Sequence, residues 1–296
     1  MPFARIRIYF LETRPRFLLL SAALACVGGA VAYSHGQFDF LRFMLTAIGL
    51  VLAHIGVNVL NDYFDFNSGL DMSTKRTPFS GGSGILAEGL LEAKSVYRFG
   101  LASLAAALGM GIYLTIVSGW KLLPLIIAGG LMAYFYTSYL TKWLAGELAA
   151  GLGLGMMPVL GGYFVQTGRF GLEISAVSVV CGLLTALLLF LNEFPDVESD
   201  SGAGRLNLVI ALGRKKAANL YAVCAGGVYF LIIGMVALRL VPATCLVALC
   251  SIPFASAAAF WAAGHSGKNG LPMGALGANV IFVLSTDVLL AVGYLV

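Results

Sequence analysis

The sequence predicts an all-α integral membrane protein, a bundle of nine transmembrane helices around a central cavity. Hydrophobic residues make up 59% of the 296 residues and charged residues only 11%, and the mean hydropathy is +0.92. A soluble domain carries about 25% charged residues, so a soluble fold is excluded. Nine apolar runs approach the roughly 20 residues that a helix needs to cross a bilayer. They lie near 15–35, 39–61, 96–118, 121–141, 146–167, 171–192, 216–238, 241–263 and 273–295.

The runs follow one another closely, which predicts a single transmembrane domain over residues 1–296. No cleavable signal peptide is evident, because four arginines precede the first run and many more runs follow it. The 37 glycines suit close helix packing in lipid. The five cysteines all lie in apolar stretches without a C-x-x-C pair, which favours small core residues over disulfides or metal ligands.

The distribution of basic residues predicts the orientation in the membrane. With the N-terminus in the cytoplasm, all but four of the 18 Lys and Arg residues fall on the cytoplasmic side, as the positive-inside rule requires. The exceptions are Arg42, Lys121, Arg169 and Arg239. We therefore expect a multi-pass protein of a prokaryotic plasma or inner membrane, with no nucleic-acid partner.

Two clusters of polar and acidic residues interrupt the apolar pattern, at the ends of the second and sixth runs. The first is Asn58-Val-Leu-Asn61-Asp62-Tyr-Phe-Asp65-Phe-Asn67-Ser-Gly69-Leu-Asp71, and the second is Asn192-Glu193-Phe-Pro195-Asp196-Val-Glu198-Ser-Asp200. On a helix, residues three or four apart share a face, so each cluster predicts one polar stripe at a helix end. We expect Pro195 to kink the sixth helix. Both stripes fall on the cytoplasmic side and face each other across a pocket in this interpretation.

Converging carboxylates repel one another unless they bind a cation, and carboxylates at a membrane edge are costly without one. Hard oxygen ligands in this number suit Mg²⁺, which shares its coordination with phosphate oxygens. The sequence therefore predicts Mg²⁺ as cofactor and a phosphate-rich ligand. The basic side chains close enough in sequence to hold that ligand are Lys75, Arg76, Lys142 and Arg205.

Simpler interpretations stay open for several residues. Charged residues at helix ends are often solvated loops, and the Ser/Gly run 80–84 is either a flexible connector or a backbone nest for phosphate. His54 is either a buried polar contact or a base, and Tyr136 is either an interfacial residue or part of the site. Asp287 lies inside the ninth run, where an acid is functional by default, but the sequence names no partner for it.

At these motifs the chain resembles the UbiA superfamily of membrane prenyltransferases. Asn61-Asp62-Tyr-Phe-Asp65 resembles the first aspartate-rich motif of that family, and Asp196-Val-Glu-Ser-Asp200 resembles the second. The likeness extends to Tyr136-Thr137, Gly146-Glu147 and Asp200-Ser-Gly-Ala-Gly204-Arg205 and covers the whole chain. The sequence departs from the family pattern at two places. Gly69 replaces the third aspartate, with Asp71 two residues later, and Arg205-Leu-Asn replaces Lys-Arg-Thr.

The resemblance implies an intramembrane enzyme that moves a polyprenyl group from its diphosphate to an aromatic acceptor. The pattern looks most like the 1,4-dihydroxy-2-naphthoate prenyltransferases of menaquinone biosynthesis. The catalytic residues implied are Asp62, Asp65, Asp196 and Asp200, and Asn61 joins them as metal ligands. The residues expected around the substrate and cofactor are Asn58, Asn61, Asp71, Lys75, Arg76, Tyr136, Lys142, Asn192 and Arg205.

Three other functions are weighed against this one. A UbiA-type enzyme with another acceptor is the nearest alternative: 4-hydroxybenzoate, homogentisate or a glyceryl phosphate. A phosphatidyltransferase of the CDP-alcohol type expects one compact aspartate motif, whereas this chain splits its motifs. An ion-coupled transporter expects acids near the bilayer midplane, and only Asp287 comes near this description.

Overall fold

The computed structural model describes residues 2–73, 76–137, 139–265 and 271–296, and the chain is helical wherever these residues form regular structure. Within these ranges, eight helices are long and apolar enough to cross a membrane, and a ninth apolar segment, Trp120–Phe135, is shorter. The predicted all-α membrane bundle is thereby confirmed, with one of its nine helices shorter than expected. The predicted site residue Lys75 lies outside the described residues.

The helices are numbered here in chain order. They are α1 Pro2–Glu12, α2 Pro15–Ser34, α3 Phe40–Asn67, α4 Leu70–Ser73, α5 Ala93–Ser118, α6 Leu123–Phe135, α7 Gly146–Ala150, α8 Met157–Thr167, α9 Leu172–Asn192, α10 Val197–Gly202, α11 Leu208–Leu212, α12 Arg214–Ala237, α13 Ile252–Gly264 and α14 Met273–Leu295. A π-helical segment, Gly151–Met156, joins α7 to α8, and 3₁₀ turns at Trp120–Leu122 and Ala243–Ser251 lead into α6 and α13.

The long helices form a closed ring of contacts. Following the chain from α2, each packs on the next through α3, α5, α6, the α7–α8 unit, α9, α12, α13 and α14, and α14 packs back on α2. Large apolar side chains that remain exposed, such as Ile116 on α5 and Phe230 on α12, lie on the outside of this ring. An exposed apolar surface of this extent is what a lipid environment requires.

Helix α2 also crosses the interior of the ring to contact α8, and this contact closes the bundle away from the acidic residues. The close approach depends on Gly28, because a Cβ there would lie 2.8 Å from the carbonyl oxygen of Val159. Small residues permit such backbone contact between helices in lipid. The helices are therefore closely packed at one end of the bundle. At the other end, where α3 and α9 end, there is room for a cavity.

The structure corrects two local expectations. The fourth helix, expected over 121–141, ends at Phe135, and turns follow it. The second acidic cluster is not one continuous helical stripe, because α9 ends at Asn192 and a new helix begins at Val197. Pro195 lies between them, and its ring and missing N–H are incompatible with an unbroken helix.

The glycine-rich segment Gly151–Met156 is π-helical rather than α-helical. Gly151 and Gly155 pack directly on Gly182 of α9: a Cβ at Gly155 would lie 2.7 Å from the Gly182 Cα. Such π segments are often found next to functional sites. Here the segment holds α7 against α9 and so places Glu147 beside the residues that follow α9.

Candidate active site

A polar cavity of about 190 Å³ opens where the ends of α2, α3 and α9 meet. Its lining contains carboxylates from both acidic clusters: Asp65 and Asp71 from the first, and Asp196 and Asp200 from the second. Asn58, Asn61, Asn192, Tyr136 and Arg205 line it as well. The fold thus brings together motifs that lie far apart in the sequence.

Asp62 lies behind the lining of this cavity. It is only 1% exposed, and its Oδ2 accepts a hydrogen bond of 2.7 Å from the backbone N–H of Ser83. Its Oδ1 has no hydrogen-bond partner, and the guanidinium of Arg14 stands 3.8 Å away from it. The first motif therefore points Asp65 into the cavity and turns Asp62 toward the loop that contains Ser83.

Arg205 links the two acidic clusters. Its guanidinium contacts the carboxylate of Asp65 and lies 3.3 Å from Oδ1 of Asp200. Asn207 donates to the other oxygen of Asp200 at 3.2 Å and also caps α11 by accepting from the N–H of Ile210. Gly204, with φ of 72°, supplies the left-handed turn that directs Arg205 inward.

The second cluster is shaped by the break in the helix after Asn192. The short helix α10 begins directly after Asp196, and the N–H of Asp200 donates to the carbonyl of Asp196 at 2.8 Å. Asp196 and Asp200 therefore lie one helical turn apart on the same side. Oδ1 of Asn192 and Oδ1 of Asp196 are buried without a hydrogen-bond partner. These atoms are acceptors that an incoming ligand would satisfy.

The Ser/Gly run 80–84 packs against the first cluster. Gly82 has φ of 74°, and a Cβ there would lie 3.2 Å from Asp71 and 3.3 Å from Asp62. Ser83 donates its N–H to Asp62 and its hydroxyl to Glu12, the latter at 2.7 Å. The backbone of this run therefore packs on carboxylates, and its role as a nest for phosphate stays a prediction.

Burial raises the pKa of several acids of the site, and the nearby basic groups do not offset the rise. Burial, with the charge of Asp62, raises the pKa of Glu12 to about 8. Burial, with the charge of Asp200, raises the pKa of Asp196 to about 7. Burial and Asp62 raise the pKa of Asp71 to about 6, although Arg76 opposes the rise. Arg205 also lowers the pKa of Asp71 and Asp196, but it does not offset burial.

Other predicted site residues lie elsewhere or have partners within the protein. Arg76 is exposed and pairs with Glu88 at 2.9 Å, and Lys142 is exposed and does not line the cavity. Asn58 donates to the carbonyl of Thr13 at 3.0 Å, and Asn61 donates to the hydroxyl of Thr137 at 3.0 Å. Among the described residues, the basic groups in the cavity lining are thus Arg205 and Arg14.

Sequence reasoning did not place Glu12 or Arg14 at the site, and it named Ser83, Glu147 and Glu193 only as members of longer motifs, without a role of their own. Glu12 and Arg14 precede the first apolar run, where basic residues were interpreted as signals of orientation. Glu147 follows a family-like glycine, and Glu193 adjoins the second motif, but no regular spacing joins them. Only the packing of α7 on α9 makes them neighbours.

The residues present fit a divalent cation, although no three His, Cys, Asp or Glu side chains in the described ranges already surround a single ion position. The donor set consists of carboxylate and amide oxygens, which are the ligands of Mg²⁺. Unpartnered oxygens of Asp62, Asn192 and Asp196 are buried around the site. Two guanidinium groups already stand at the carboxylates, but they do not balance them all. The site therefore still lacks positive charge.

A second cavity, of about 520 Å³ and almost wholly apolar, lies between α3, α5, α6 and the α7–α8 unit. It shares Val57, Tyr136, Ala150 and Leu154 with the polar cavity, so the two are adjacent. Glycines on four of its walls, among them Gly130 and Gly161, leave room for a bulky apolar ligand. The combined site suits an amphiphile with an anionic head and a long apolar tail.

Comparison with known proteins agrees with this geometry. The sequence model of the UbiA prenyltransferase family matches residues 21–279. The chain belongs to this family. A 1,4-dihydroxy-2-naphthoate octaprenyltransferase of Bacillus subtilis (strain 168) is 29% identical over 227 residues, which cover 76% of this chain and 72% of that protein. UbiA prenyltransferase domain-containing protein 1 of Homo sapiens is 32% identical over 213 residues, covering 69% of this chain and 61% of that protein.

Solved structures of the family share the fold. A UbiA homolog from Aeropyrum pernix K1 superposes with a TM-score of 0.66 at 17% identity, covering 94% of this chain and 97% of that one. A homolog from Archaeoglobus fulgidus, bound to GPP and Mg²⁺, gives 0.63 at 13% identity, covering 96% and 99%. The resemblance inferred from the motifs is confirmed, and this UbiA-family chain is a multi-pass membrane prenyltransferase.

The raised pKa values predict how the stability of the ligand-free protein depends on pH. Glu12, Asp71 and Asp196 have higher pKa values folded than unfolded. Their contribution to the free energy of unfolding is fully present below their unfolded pKa of about 4. It is lost as pH rises through about 6 to 8. In detergent with a chelator, we expect the melting temperature to fall from about pH 5 to about pH 8. Millimolar Mg²⁺ should then restore part of the loss at the higher pH.

The control for this measurement is Asp196→Asn, which removes one of the titrating acids. Its melting temperature should vary less with pH and respond less to Mg²⁺ than that of the wild type. A wild-type protein whose stability rises with pH in the chelator, or does not respond to Mg²⁺ at the higher pH, would contradict the prediction.

Proposed function

We propose that the protein is a Mg²⁺-dependent enzyme that transfers a polyprenyl group from its diphosphate to an aromatic acceptor, most favourably 1,4-dihydroxy-2-naphthoate. One observation carries the proposal: a cavity lined by Asp65, Asp71, Asp196 and Asp200 lies beside an apolar cavity, and the two share lining residues. The homologue from Archaeoglobus fulgidus was solved with GPP and Mg²⁺, and this supports the choice of donor and metal.

The diphosphate head fits the polar cavity. When bound there, Mg²⁺ supplies positive charge that neutralises the carboxylates and the diphosphate and favours departure of the leaving group. Asn61, Asp65, Asp196 and Asp200 line the cavity and would hold Mg²⁺, together with Asp62 behind them, whose Oδ1 has no partner. Arg205 and Arg14 point at the same carboxylates, and a guanidinium is well suited to bind phosphate oxygens in two places at once.

The polyprenyl tail fits the apolar cavity. The junction of the two cavities at Tyr136 is where the allylic carbon of the donor lies in this arrangement. As the bond to diphosphate breaks, positive charge develops on that carbon, and the face of an aromatic ring stabilises such charge. The tail extends from there past Gly130 and Gly161, between helices that face the lipid.

The acceptor enters from the polar side, next to the allylic carbon. Its electron-rich ring carbon then attacks the cation while the apolar walls exclude water. The naphthoate acceptor is supported by the relative from Bacillus subtilis, which is named for it, and by the position of Asp71 after Gly69. Residues 79–82 line the cavity's edge, and in this proposal the cavity faces the cytoplasm, as the N-terminus does.

Carboxylate substitutions test the proposed catalytic role. Asp65→Ala and Asp196→Ala should lower turnover by about 10²-fold or more, because preorganised charge at the leaving group typically contributes that much. The matched control is Glu198→Ala: Glu198 lies between the motif aspartates, but its side chain is 65% exposed and pairs with Arg214. Transfer is measured with purified protein whose folding is checked by its melting curve. Near-normal turnover in either aspartate variant would rule out the assigned role.

The apolar cavity predicts a substitution that changes donor length. Gly130 lines the cavity, and nothing lies within 4 Å of a Cβ placed there. Gly130→Leu should therefore fold and fill part of the tail space, and the enzyme should prefer a donor with fewer isoprene units. Gly109→Leu is the control, since Gly109 is exposed on α5, outside the lining, and equally free of neighbours. An unchanged ranking of donor lengths for Gly130→Leu would place the tail elsewhere.

The acceptor is tested by competition. With one polyprenyl diphosphate and Mg²⁺, the protein is offered dihydroxynaphthoate, 4-hydroxybenzoate, homogentisate and a glyceryl phosphate, and products are identified by mass. We expect the prenylated naphthoate product, with loss of its ring carboxylate as carbon dioxide. If another acceptor is prenylated and dihydroxynaphthoate is not, the acceptor assignment is wrong, and the family assignment is unaffected.

A further inference from the structure

Two buried carboxyl groups at the site have no role in the function described so far. Glu147, on α7, is 5% exposed, and Glu193, directly after α9, is 9% exposed. The two carboxyl groups are in hydrogen-bonding contact with each other. Glu193 lines the polar cavity, and its Oε2 is buried with no hydrogen-bond partner.

The surroundings of this pair differ from those of the aspartate motifs. The groups that face the pair electrostatically are Tyr136, Asp200 and Arg205. Arg205 makes its direct contacts with Asp65 and Asp200 and makes no ion pair with either glutamate. Glu147 is fixed from the other side, because its Oε1 accepts a hydrogen bond of 2.7 Å from the N–H of Leu208.

This environment lets the pair carry one proton. Burial and the adjacent Glu147 raise the pKa of Glu193 well above its usual range. Two carboxyl groups in contact do not both ionise unless a cation lies between them. Glu193 therefore donates its O–H to Glu147, which also accepts from Leu208. The remaining oxygen of Glu193, Oε2, has no hydrogen-bond partner, and Glu193 itself lines the cavity.

We propose that Glu193, supported by Glu147, is the base that removes the hydroxyl proton of the aromatic acceptor during prenyl transfer. This inference rests on the proposed function and adds the residue that activates the acceptor. Glu193 is a catalytic residue in this proposal because it touches the acceptor hydroxyl. Glu147 is a positioning residue that receives the proton Glu193 already holds.

The step balances in atoms and charge. The acceptor O–H bond breaks, and its proton binds to Oε2 of Glu193 while the original proton of Glu193 passes to Glu147. The electron pair of the phenolate is delocalised onto the ring carbon, which forms the new bond to the allylic carbon. The bond from that carbon to diphosphate breaks, and diphosphate leaves with the electron pair. A carboxylate on the attacked carbon then leaves as carbon dioxide, and the phenolate that results takes back the proton from the pair.

The aspartates are less suited to this task. Asp65 and Asp200 both contact Arg205, and a carboxylate held by a cation is a weak base. Asp196 and Asp62 belong to the set expected to bind the metal and diphosphate. Glu193 differs from Asp65 and Asp200 in that one of its oxygens is unpartnered and no arginine forms an ion pair with it.

The test uses Glu193→Gln, which keeps the size of the side chain and its ability to donate to Glu147 but does not accept a proton. Transfer to an ordinary phenolic acceptor should fall by about 10²-fold, which is typical for loss of a general base. Transfer to ring-substituted acceptors that are already ionised at the assay pH should recover to within about tenfold of the wild type. Glu173→Gln is the control: Glu173 lies at the other end of the bundle, where it contacts His35 and Tyr294.

Two outcomes of this experiment would overturn the proposal. One is a Glu193→Gln enzyme that transfers to ordinary phenols at the wild-type rate. The other is an equal loss for neutral and ionised acceptors, since that result indicates a structural role. Wild-type protein provides a second test that does not depend on the variant folding. Its rate should depend only weakly on acceptor acidity, whereas a change of about tenfold per pKa unit would mean that solution ionisation supplies the phenolate.

Failure of the proposed function is distinguished by the donor. Release of diphosphate from the prenyl donor by wild-type protein, dependent on Mg²⁺, is measured alongside transfer. If the wild type releases none and transfers nothing, the proposed function fails. If the wild type releases diphosphate and transfers normally, and Glu193→Gln does the same, only the assignment of the base fails.

Discussion

The site depends on the partial neutralisation of buried carboxylates by guanidinium groups, above all that of Arg205. Arg205 contacts Asp65 from the first motif and Asp200 from the second, and without it the two motifs would carry uncompensated charge in a poorly solvated cavity. Removing one partner of such a buried group typically costs several kcal/mol. Even with Arg205 present, burial raises the pKa of Asp71 and Asp196. The cavity is therefore short of positive charge, and a cation accompanied by an anionic ligand is what would satisfy it.

Helix packing explains why this charge cluster forms at one end of the bundle. Elsewhere in the bundle, glycines allow the helices to pack closely. Gly28 lets α8 approach α2, and Gly155 packs on Gly182 of α9. Where α3 and α9 end, polar turns replace this packing and a cavity opens. The apolar cavity beside it reaches toward helices whose outer surfaces are exposed and hydrophobic. An amphiphilic substrate thus meets charge at its head and lipid-like walls along its tail.

In the proposed mechanism, carboxyl groups serve two purposes in this cavity because their surroundings differ. Asp65 and Asp200 are held by Arg205, so they are suited to bind cations as carboxylates. Glu147 and Glu193 contact each other instead, so they hold a proton between them and leave one oxygen free. Pairs of acids placed in different environments are a general means of separating the roles of ligand and base. Asp287 remains apart from this, fully buried on α14 beside Cys181, and the structure offers no account of it.

The sequence by itself determined the membrane class, the positions of the long helices and the two acidic motifs, because hydrophobicity and i to i+4 spacing are local properties. It also indicated Arg205, since that residue follows the second motif closely. Tertiary structure alone decided that Asp62 turns away from the cavity, that Lys142 and Arg76 lie outside it, and that Glu12 and Arg14 contribute to it. The tertiary structure alone also decided that Glu147 pairs with Glu193. Contact between residues on different helices follows from how those helices cross, and crossing depends on side-chain packing that no short stretch of sequence contains.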